Sequence, residues 1–217
     1  MRYSTILFDF DGTLTHSLPL WMRAYQSALS NYGLDMSDEE VVETCFYKAW
    51  KDIVEQFDLP CEKEFGKQVH VVLEEVFAEA ELFEGAGDVL DEIRGRGIKL
   101  GIVTSSVRPV VTKFLERHGL ADHFGVVVTA DDIVNYKPHP EPVLKAIDAL
   151  GGDVAHSVLI GDSEVDMMAA ANSGTDKGLF FPDVHHPFYD LEILKAHDPH
   201  IVFHSYIELL TRFFPPR

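Results

Sequence analysis

The chain has 217 residues, of which 46% are hydrophobic and 25% charged, and these values indicate one large or two smaller globular domains with a full core. Its 36 acidic and 18 basic residues give a net charge of −18, which disfavours nucleic acid and anionic membranes as partners and requires any phosphate site to be local. Two cysteines, Cys45 and Cys61, are too few for a disulfide framework, and no long apolar segment follows Met1. We therefore expect a cytoplasmic protein.

The first predicted element is a short apolar run, Ile6-Leu7-Phe8, that breaks into Asp9-Phe10-Asp11-Gly12-Thr13. Such a run indicates a buried strand that feeds a loop. Carboxylates two residues apart leave a strand on the same side, and burying two like charges so close together is costly unless a cation compensates. The competing interpretation of this stretch alone, which is less favoured, is a strand end with a solvated Asp-Gly turn.

The next region, residues 17–82, has apolar residues at helical spacing and no strand-like alternation. Ser37 and Glu40 form a capping-box pattern at the start of a helix that carries Val41 and Cys45. The region therefore predicts a small helical module inserted after the first strand. The other predicted helices cover residues 18–32, 47–57 and 62–80.

From Gly85 onward, apolar runs alternate with helical segments. This alternation is typical of a parallel sheet covered by helices on both faces, so we predict an α/β fold with a doubly wound sheet. The predicted strands cover residues 98–103, 124–129, 157–160, 179–181 and 201–203. The predicted helices cover residues 86–96, 109–118, 140–150, 164–172 and 206–213.

A segment rich in His, Pro and Asp, residues 182–200, follows the fifth predicted strand. Its histidines lack the spacing of good metal-ligand pairs, so a polar surface loop is favoured over a second metal site. The four histidines are His185, His186, His197 and His200.

Polar side chains follow several of the predicted strands at the point where each strand ends. Asp9 and Asp11 follow the first strand, Thr104 the second and Asp162 the fourth. Ligands of open α/β sheets bind outside the carboxyl ends of the strands, so these residues are expected to meet in one cleft. Taken singly, Asp162 could be a helix cap and Thr104 a cap of the following helix. A functional site, unlike isolated helix caps, would place all of these side chains together at one edge of the sheet.

Four motifs occur in order along the chain: Asp9-Phe10-Asp11-Gly12-Thr13-Leu14, Val103-Thr104, Lys137-Pro138-His139-Pro140 and Gly161-Asp162-Ser163-Glu164-Val165-Asp166. Together they resemble the motifs of the haloacid dehalogenase (HAD) superfamily, in particular phosphoglycolate phosphatase-like members with an α-helical cap. The resemblance implies a core domain of residues 1–16 and 83–217 and a cap domain of residues 17–82.

The resemblance also implies a reaction. Asp9 would be the nucleophile that forms an aspartyl-phosphate, and Asp11 would act as general acid and base. Asp11 also favours phosphate chemistry, because the dehalogenase branch lacks this second aspartate. We therefore expect a phosphatase that acts on a small-molecule phosphate ester, as a monomer or a homodimer.

The remaining motif residues would bind metal and phosphate. Mg²⁺ is the expected cofactor, because it prefers hard oxygen ligands and phosphate. By resemblance, Asp9, Asp162 and the Asp11 carbonyl would hold it, with Asp166 in the same site. The predicted phosphoryl contacts are the Thr104 hydroxyl, the Ser105 amide and the Lys137 ammonium.

The cap is expected to recognise the leaving group, with Lys48 as the predicted contact. A solvated surface lysine is the competing interpretation of both Lys48 and Lys51. Tyr47, His16 and Arg23 are further candidates. The aromatic residues Trp21, Tyr25 and Phe46 are predicted to form cap core.

Two other functions stay open on the sequence alone. A phosphosugar mutase resembling β-phosphoglucomutase would use the same core and cap, and would pass the phosphoryl group to a second hydroxyl. A catalytically inactive phosphate-binding protein is disfavoured, because every core motif residue is intact.

Overall fold

The computed structural model describes residues 2–46 and 48–213. Contacts divide the chain into two compact units, Met1–His16 with Leu82–Arg217, and Ser17–Glu81. The predicted assignment of residues 17–82 as a cap domain stays a prediction. The strands are β1 (Thr5–Phe8), β2 (Lys99–Val103), β3 (Val126–Val128), β4 (Ser157–Gly161), β5 (Asp176–Phe180) and β6 (Ile201–Phe203). The helices are α1 (Leu18–Ser30), α2 (Asp38–Cys45), α3 (Trp50–Gln56), α4 (Glu62–Val76), α5 (Ala86–Gly95), α6 (Arg108–Arg117), α7 (Glu141–Ala149), α8 (Glu164–Ser173), α9 (Leu191–Lys195) and α10 (Tyr206–Phe213).

The first unit is built on one parallel sheet with the strand order β3-β2-β1-β4-β5-β6. Helices α7 and α8 pack against strands β1–β5, while α5 packs on β2 and α10 on β6. The strands are apolar because helices flank the sheet, and Leu7, Ile102 and Leu159 are buried completely. The predicted doubly wound α/β fold is confirmed.

The position of β1 decides where a ligand can bind. β1 pairs with β2 on one side and with β4 on the other, and the chain order reverses at this point. In open α/β sheets the crevice at such a reversal, beyond the carboxyl ends of the strands, is the usual ligand site. Asp9 is the first residue after β1 and therefore lies at this crevice.

The second unit consists of helices α1–α4 around an aromatic core. The capping box is present, with the Glu40 amide donating to Ser37 Oγ at 3.3 Å and the Ser37 amide donating to the Glu40 carboxylate at 2.8 Å. The Tyr25 ring lies 5.8 Å from the Phe46 ring, and both side chains are buried, as predicted. Trp21, also predicted as core, is half-buried beside Tyr25.

The helix predicted over residues 47–57 starts later than expected. α3 begins at Trp50, so Lys48 lies in a bend before the helix. The Lys48 ammonium donates to Gln56 Oε1 at 3.0 Å. Tyr47 lies outside the described residues.

The prediction of a polar surface loop over residues 182–200 is only partly correct, because most of the segment is exposed but parts of it are helical and buried. The segment contains a 3-10 turn, Asp183–His185, and the short helix α9. His185 and Leu194 are buried, and Leu194 belongs to an apolar cluster with Met167 and Phe181. The polar composition concealed these contacts because single buried residues leave no periodic pattern in so short a segment.

Within the second unit, α4 approaches α3 at Gly66. A Cβ atom at this position would lie 2.1 Å from Cζ3 of Trp50, well inside the contact distance. The Trp50 ring is rigid and packs edge-on against His70, with ring centroids 5.1 Å apart. Gly66 is therefore required by close packing, although glycine lowers helix propensity.

Replacing Gly66 with Ala should lower the free energy of unfolding of the second unit by about 1–3 kcal/mol, because the indole has to move. Both tryptophans lie in this unit, so the fluorescence of Trp21 and Trp50 reports its unfolding in urea. The matched control is Gly95→Ala at the end of α5, where a Cβ would meet nothing within 4 Å. Circular dichroism should show this variant to be unchanged or more stable by up to about 1 kcal/mol. Equal effects of the two substitutions would contradict this interpretation of Gly66.

Candidate active site

The loop after β1 holds the first two acidic residues in a tight turn. The Phe10 carbonyl accepts hydrogen bonds from the amides of Leu14 and Thr15, both at 3.0 Å. Gly12 adopts a φ of 74°, which a side chain would disfavour. Asp9 is buried and Asp11 is half-buried, so the turn presents two carboxylates at the sheet edge.

Lys137 joins Asp9 to Asp166. Its ammonium donates to Asp166 Oδ1 at 2.6 Å, to Asp9 Oδ1, and to the Val103 carbonyl at 3.3 Å. Only 4% of the Lys137 side chain is exposed. The loop before α7 therefore delivers one buried cation to residues that follow β1 and β4.

Asp162 and Asp166 are held by polar neighbours at the start of α8. Asp162 Oδ1 accepts from Thr13 Oγ1 at 2.8 Å, and its Oδ2 accepts from the Tyr189 hydroxyl at 2.6 Å. Asp166 Oδ2 accepts from the Ser163 amide at 3.2 Å and from the Ser163 hydroxyl. A Cβ on Gly161 would lie 2.4 Å from the Asp166 Cβ atom, so the close approach of Asp166 to the end of β4 requires glycine.

The cluster contains more negative than positive charge. Burial raises the pKa of Asp162 to about 7, and the nearby Asp166 adds to the shift. Burial also raises the pKa of Asp9; Lys137 opposes this shift, while the nearby Asp166 and Asp162 add to it. Burial by itself would lower the pKa of Lys137, but Asp166 and Asp9 reverse the shift and keep the ammonium charged. The residues present thus favour the binding of additional positive charge.

A divalent metal ion fits this donor set. Asp9, Asp162 and Asp166 each offer a carboxylate oxygen, and the three oxygens lie within 4.8 Å of one another. Within residues 2–46 and 48–213, no other group of three or more His, Cys, Asp or Glu side chains has such geometry. Hard oxygen ligands suit Mg²⁺ and related cations, and a cation would offset the excess negative charge.

The segment after β2 contributes the hydroxyl groups of Thr104 and Ser106 to the site. Thr104 is buried, and its Oγ1 accepts from the Ser106 amide at 2.9 Å, while Ser105 is exposed. The Ser106 hydroxyl donates to Asp11 Oδ2 at 2.5 Å. Sequence reasoning missed Ser106, although its place two residues after Thr104 put it at the same strand end.

The structure thus brings together six of the eight predicted site residues at one edge of the sheet. They are Asp9, Asp11, Thr104, Lys137, Asp162 and Asp166. Three carboxylates and Lys137 form one group, and Ser106 links Asp11 to Thr104. Ser105 lies beside them in the chain, and Lys48 belongs to the second unit. Sequence reasoning also missed Tyr189, because it lies in the segment predicted to be a loop.

Comparison with known proteins identifies the family. Residues 6–179 match the family model described as haloacid dehalogenase-like hydrolase. The pyrophosphatase PpaX of Oceanobacillus iheyensis is 30% identical over 207 residues, which cover 90% of this chain and 95% of the relative. The chain therefore belongs to the haloacid dehalogenase-like hydrolase family. Within that family it is an enzyme of the phosphatase type.

Solved structures share the fold. One assigned as a phosphoglycolate phosphatase, from Lactobacillus plantarum, has a TM-score of 0.82 at 24% identity and covers 97% of this chain and 99% of its own. CbbY from Rhodobacter sphaeroides, solved with phosphate, has a TM-score of 0.78 at 22% identity and covers 95% and 96%. A variant of CbbY was solved with xylulose-1,5-bisphosphate. Along the described part of this chain, no helix has the length and apolar character to cross a membrane.

His185 lies close to the site, but it is not part of the group of side chains that could hold a metal ion. It is completely buried among aromatic rings, and neither ring nitrogen has a hydrogen-bond partner among residues 2–46 and 48–213. Burial lowers its pKa to about 3, and the nearby His16 adds to the shift. The imidazole is therefore neutral in the folded protein.

This burial predicts a pH-dependent loss of stability. Below about pH 6.5 the unfolded chain binds a proton on His185 that the folded chain does not. The free energy of unfolding therefore decreases as the pH is lowered, by up to about 1.4 kcal/mol per pH unit. A His185→Leu variant lacks this penalty. Between pH 7 and pH 5, the stability of the variant relative to the native protein should therefore rise by about 2 kcal/mol, measured by urea unfolding. A difference that stays constant over this range would contradict the neutral buried state.

Proposed function

We propose that this protein is a Mg²⁺-dependent phosphatase that hydrolyses a small-molecule phosphate ester through a phosphorylated Asp9. The observation that carries the proposal is the convergence of the buried side chains of Asp9, Lys137 and Asp162 at the carboxyl end of β1, where open α/β sheets usually bind ligands. The family match supports the same chemistry.

The proposed metal ligands are the Asp9 and Asp162 side chains and the Asp11 carbonyl. Asp166 completes the site from behind, since its Oδ1 holds Lys137 and its Oδ2 accepts from Ser163. When bound, Mg²⁺ would neutralise charge on the phosphoryl oxygens and on the carboxylates.

In the first step, an Asp9 carboxylate oxygen attacks the phosphorus in line with the leaving oxygen. The new O–P bond forms as the bond to the leaving oxygen breaks, and Asp11 gives its proton to that oxygen. Ser106 holds Asp11 in place for this transfer. Lys137 and the Thr104 hydroxyl stabilise the negative charge on the transferring phosphoryl group. Because Thr104 Oγ1 accepts a hydrogen bond from the Ser106 amide, the proton of the Thr104 hydroxyl is available to donate to a phosphoryl oxygen.

In the second step, Asp11 takes a proton from a water molecule that attacks the phosphorylated Asp9. The O–P bond to Asp9 breaks, inorganic phosphate leaves, and both carboxyl groups return to their starting states. Repeated use of one acid as donor and then as acceptor requires its side chain to stay fixed between the steps. The 2.5 Å contact from Ser106 supports this role.

Inorganic pyrophosphate is a second candidate substrate, because the pyrophosphatase PpaX is 30% identical over 90% of this chain. It is the smallest anhydride that offers a terminal phosphoryl group to Asp9. Lys48 as a contact for the leaving group stays a prediction. We also propose a cytoplasmic location, supported by the free thiols of Cys45 and Cys61.

Replacing Asp9 with Asn should lower kcat by at least about 1,000-fold, because the amide is a poor nucleophile. The fold should persist, since the change removes one negative charge from a cluster with an excess of it. Phosphate release from para-nitrophenyl phosphate and thermal unfolding measure the two effects. Asp148→Asn, on the exposed face of α7, is the matched control and should keep full activity. Native turnover by the Asp9 variant would contradict the proposal.

Removing divalent cations with a chelator should abolish turnover, and Mg²⁺ should restore it, because the carboxylate cluster otherwise repels the phosphoryl group. The substrates to compare are pyrophosphate, phosphoglycolate, hexose phosphates and nucleoside monophosphates. Free phosphate from one class identifies the substrate type. Conversion of a hexose 1-phosphate to the 6-phosphate without phosphate release would indicate the mutase instead, and full activity in chelator would exclude the metal requirement.

A further inference from the structure

The segment between β5 and α9 reaches the site through the hydroxyl group of Tyr189. The Tyr189 hydroxyl donates to Asp162 Oδ2 at 2.6 Å, while Thr13 donates to Oδ1 at 2.8 Å. Asp162 is almost completely buried. The two donors approach from different segments of the chain, one after β1 and one after β5, so they fix the plane of the carboxylate. Each oxygen keeps a second lone pair that can coordinate a cation.

The Tyr189 ring is itself held in place. Its centroid lies 5.6 Å from that of His185, and its amide donates to the His185 carbonyl at 3.0 Å. The ring also packs against the apolar cluster that contains Met167 and Leu194. Tyr189 therefore has an apolar side anchored in the core and a polar end directed at Asp162.

The anchor continues into the core through His185. Its ring contacts those of Phe83, Phe180 and Phe181, at centroid distances of 5.8, 5.8 and 6.0 Å. The neutral imidazole adds no charge beside the carboxylates. This arrangement explains why a buried histidine whose ring nitrogens have no hydrogen-bond partner among the described residues lies next to the site: it is a packing element that supports Tyr189.

We propose that Tyr189 is a positioning residue that fixes Asp162 for divalent-cation binding, and that the segment after β5 thereby sets the affinity of the site for the metal. The inference rests on the proposed function, because it takes Asp162 as a metal ligand. Hydrogen bonds to the far side of a ligand orient it, and losing such a partner typically weakens metal binding by about 10–100-fold.

A matched pair of variants tests this role. Tyr189→Phe removes one hydroxyl, and Tyr3→Phe removes another that also donates to an aspartate, Asp176 Oδ2, at 2.6 Å. Tyr3 precedes β1, at the end of the sheet opposite the site. Both variants lose one part-buried tyrosine–carboxylate hydrogen bond, but only one of these bonds touches a proposed metal ligand.

Mn²⁺ binding to the substrate-free protein, measured by electron paramagnetic resonance, gives a readout that does not depend on turnover. We expect Tyr189→Phe to raise the Kd for Mn²⁺ at least about 10-fold and Tyr3→Phe to change it less than about two-fold. Saturating Mg²⁺ should restore most of the kcat of Tyr189→Phe, because the reacting groups are intact. Thermal unfolding of both variants shows whether they fold alike.

The possible failures are distinct. Native Mn²⁺ affinity in Tyr189→Phe, or a kcat deficit that saturating Mg²⁺ does not relieve, would overturn the positioning role and leave the proposed function standing. Equal weakening of Mn²⁺ binding by the two variants would also overturn it, since the effect would then be a general loss of stability. Absence of Mn²⁺ binding to the native protein would contradict the metal site of the proposed function, and this inference with it.

Discussion

Three buried carboxylates share the carboxyl edge of the sheet with one buried ammonium, and the rest of the site depends on how their charges are balanced. Lys137 contacts Asp9 and Asp166 directly, while Asp162 relies on neutral hydroxyl donors. Burial raises the pKa values of Asp9 and Asp162, and the neighbouring Asp166 carboxylate adds to both shifts. A buried cluster of this kind is costly for stability, and it persists where the charge serves binding or catalysis.

The sheet topology places this charge at one point. β1 lies between β2 and β4, so residues after three adjacent strands meet although they are far apart in the chain. The loop before α7 adds Lys137 to the same edge. Small residues then let the groups approach closely, as Gly161 does for Asp166. The fold therefore acts as a rigid support, and the chemistry belongs to the loops.

Neutral groups around the carboxylates control their orientation. Ser106 contacts Asp11, Ser163 contacts Asp166, and Thr13 and Tyr189 contact Asp162. Hydroxyl donors add no charge to the cluster, so they orient each carboxylate without competing with a cation for its charge. The aromatic packing around His185 extends this support into the core beneath the segment after β5.

The sequence by itself determined the α/β class, the family, and the order of the strands and of every described α-helix except α9. Apolar runs, capping residues and four ordered motifs depend on local chemistry, which the chain order preserves. The Ser37 capping box and the helix Tyr206–Phe213 appear where they were predicted. Only the tertiary structure decided that His185 is buried, that Ser106 reaches Asp11, and that Tyr189 reaches Asp162. These contacts join residues up to about 100 positions apart, as Ser106 with Asp11 and His185 with Phe83. They depend on packing between segments, which leaves no periodic signal in the sequence of either one.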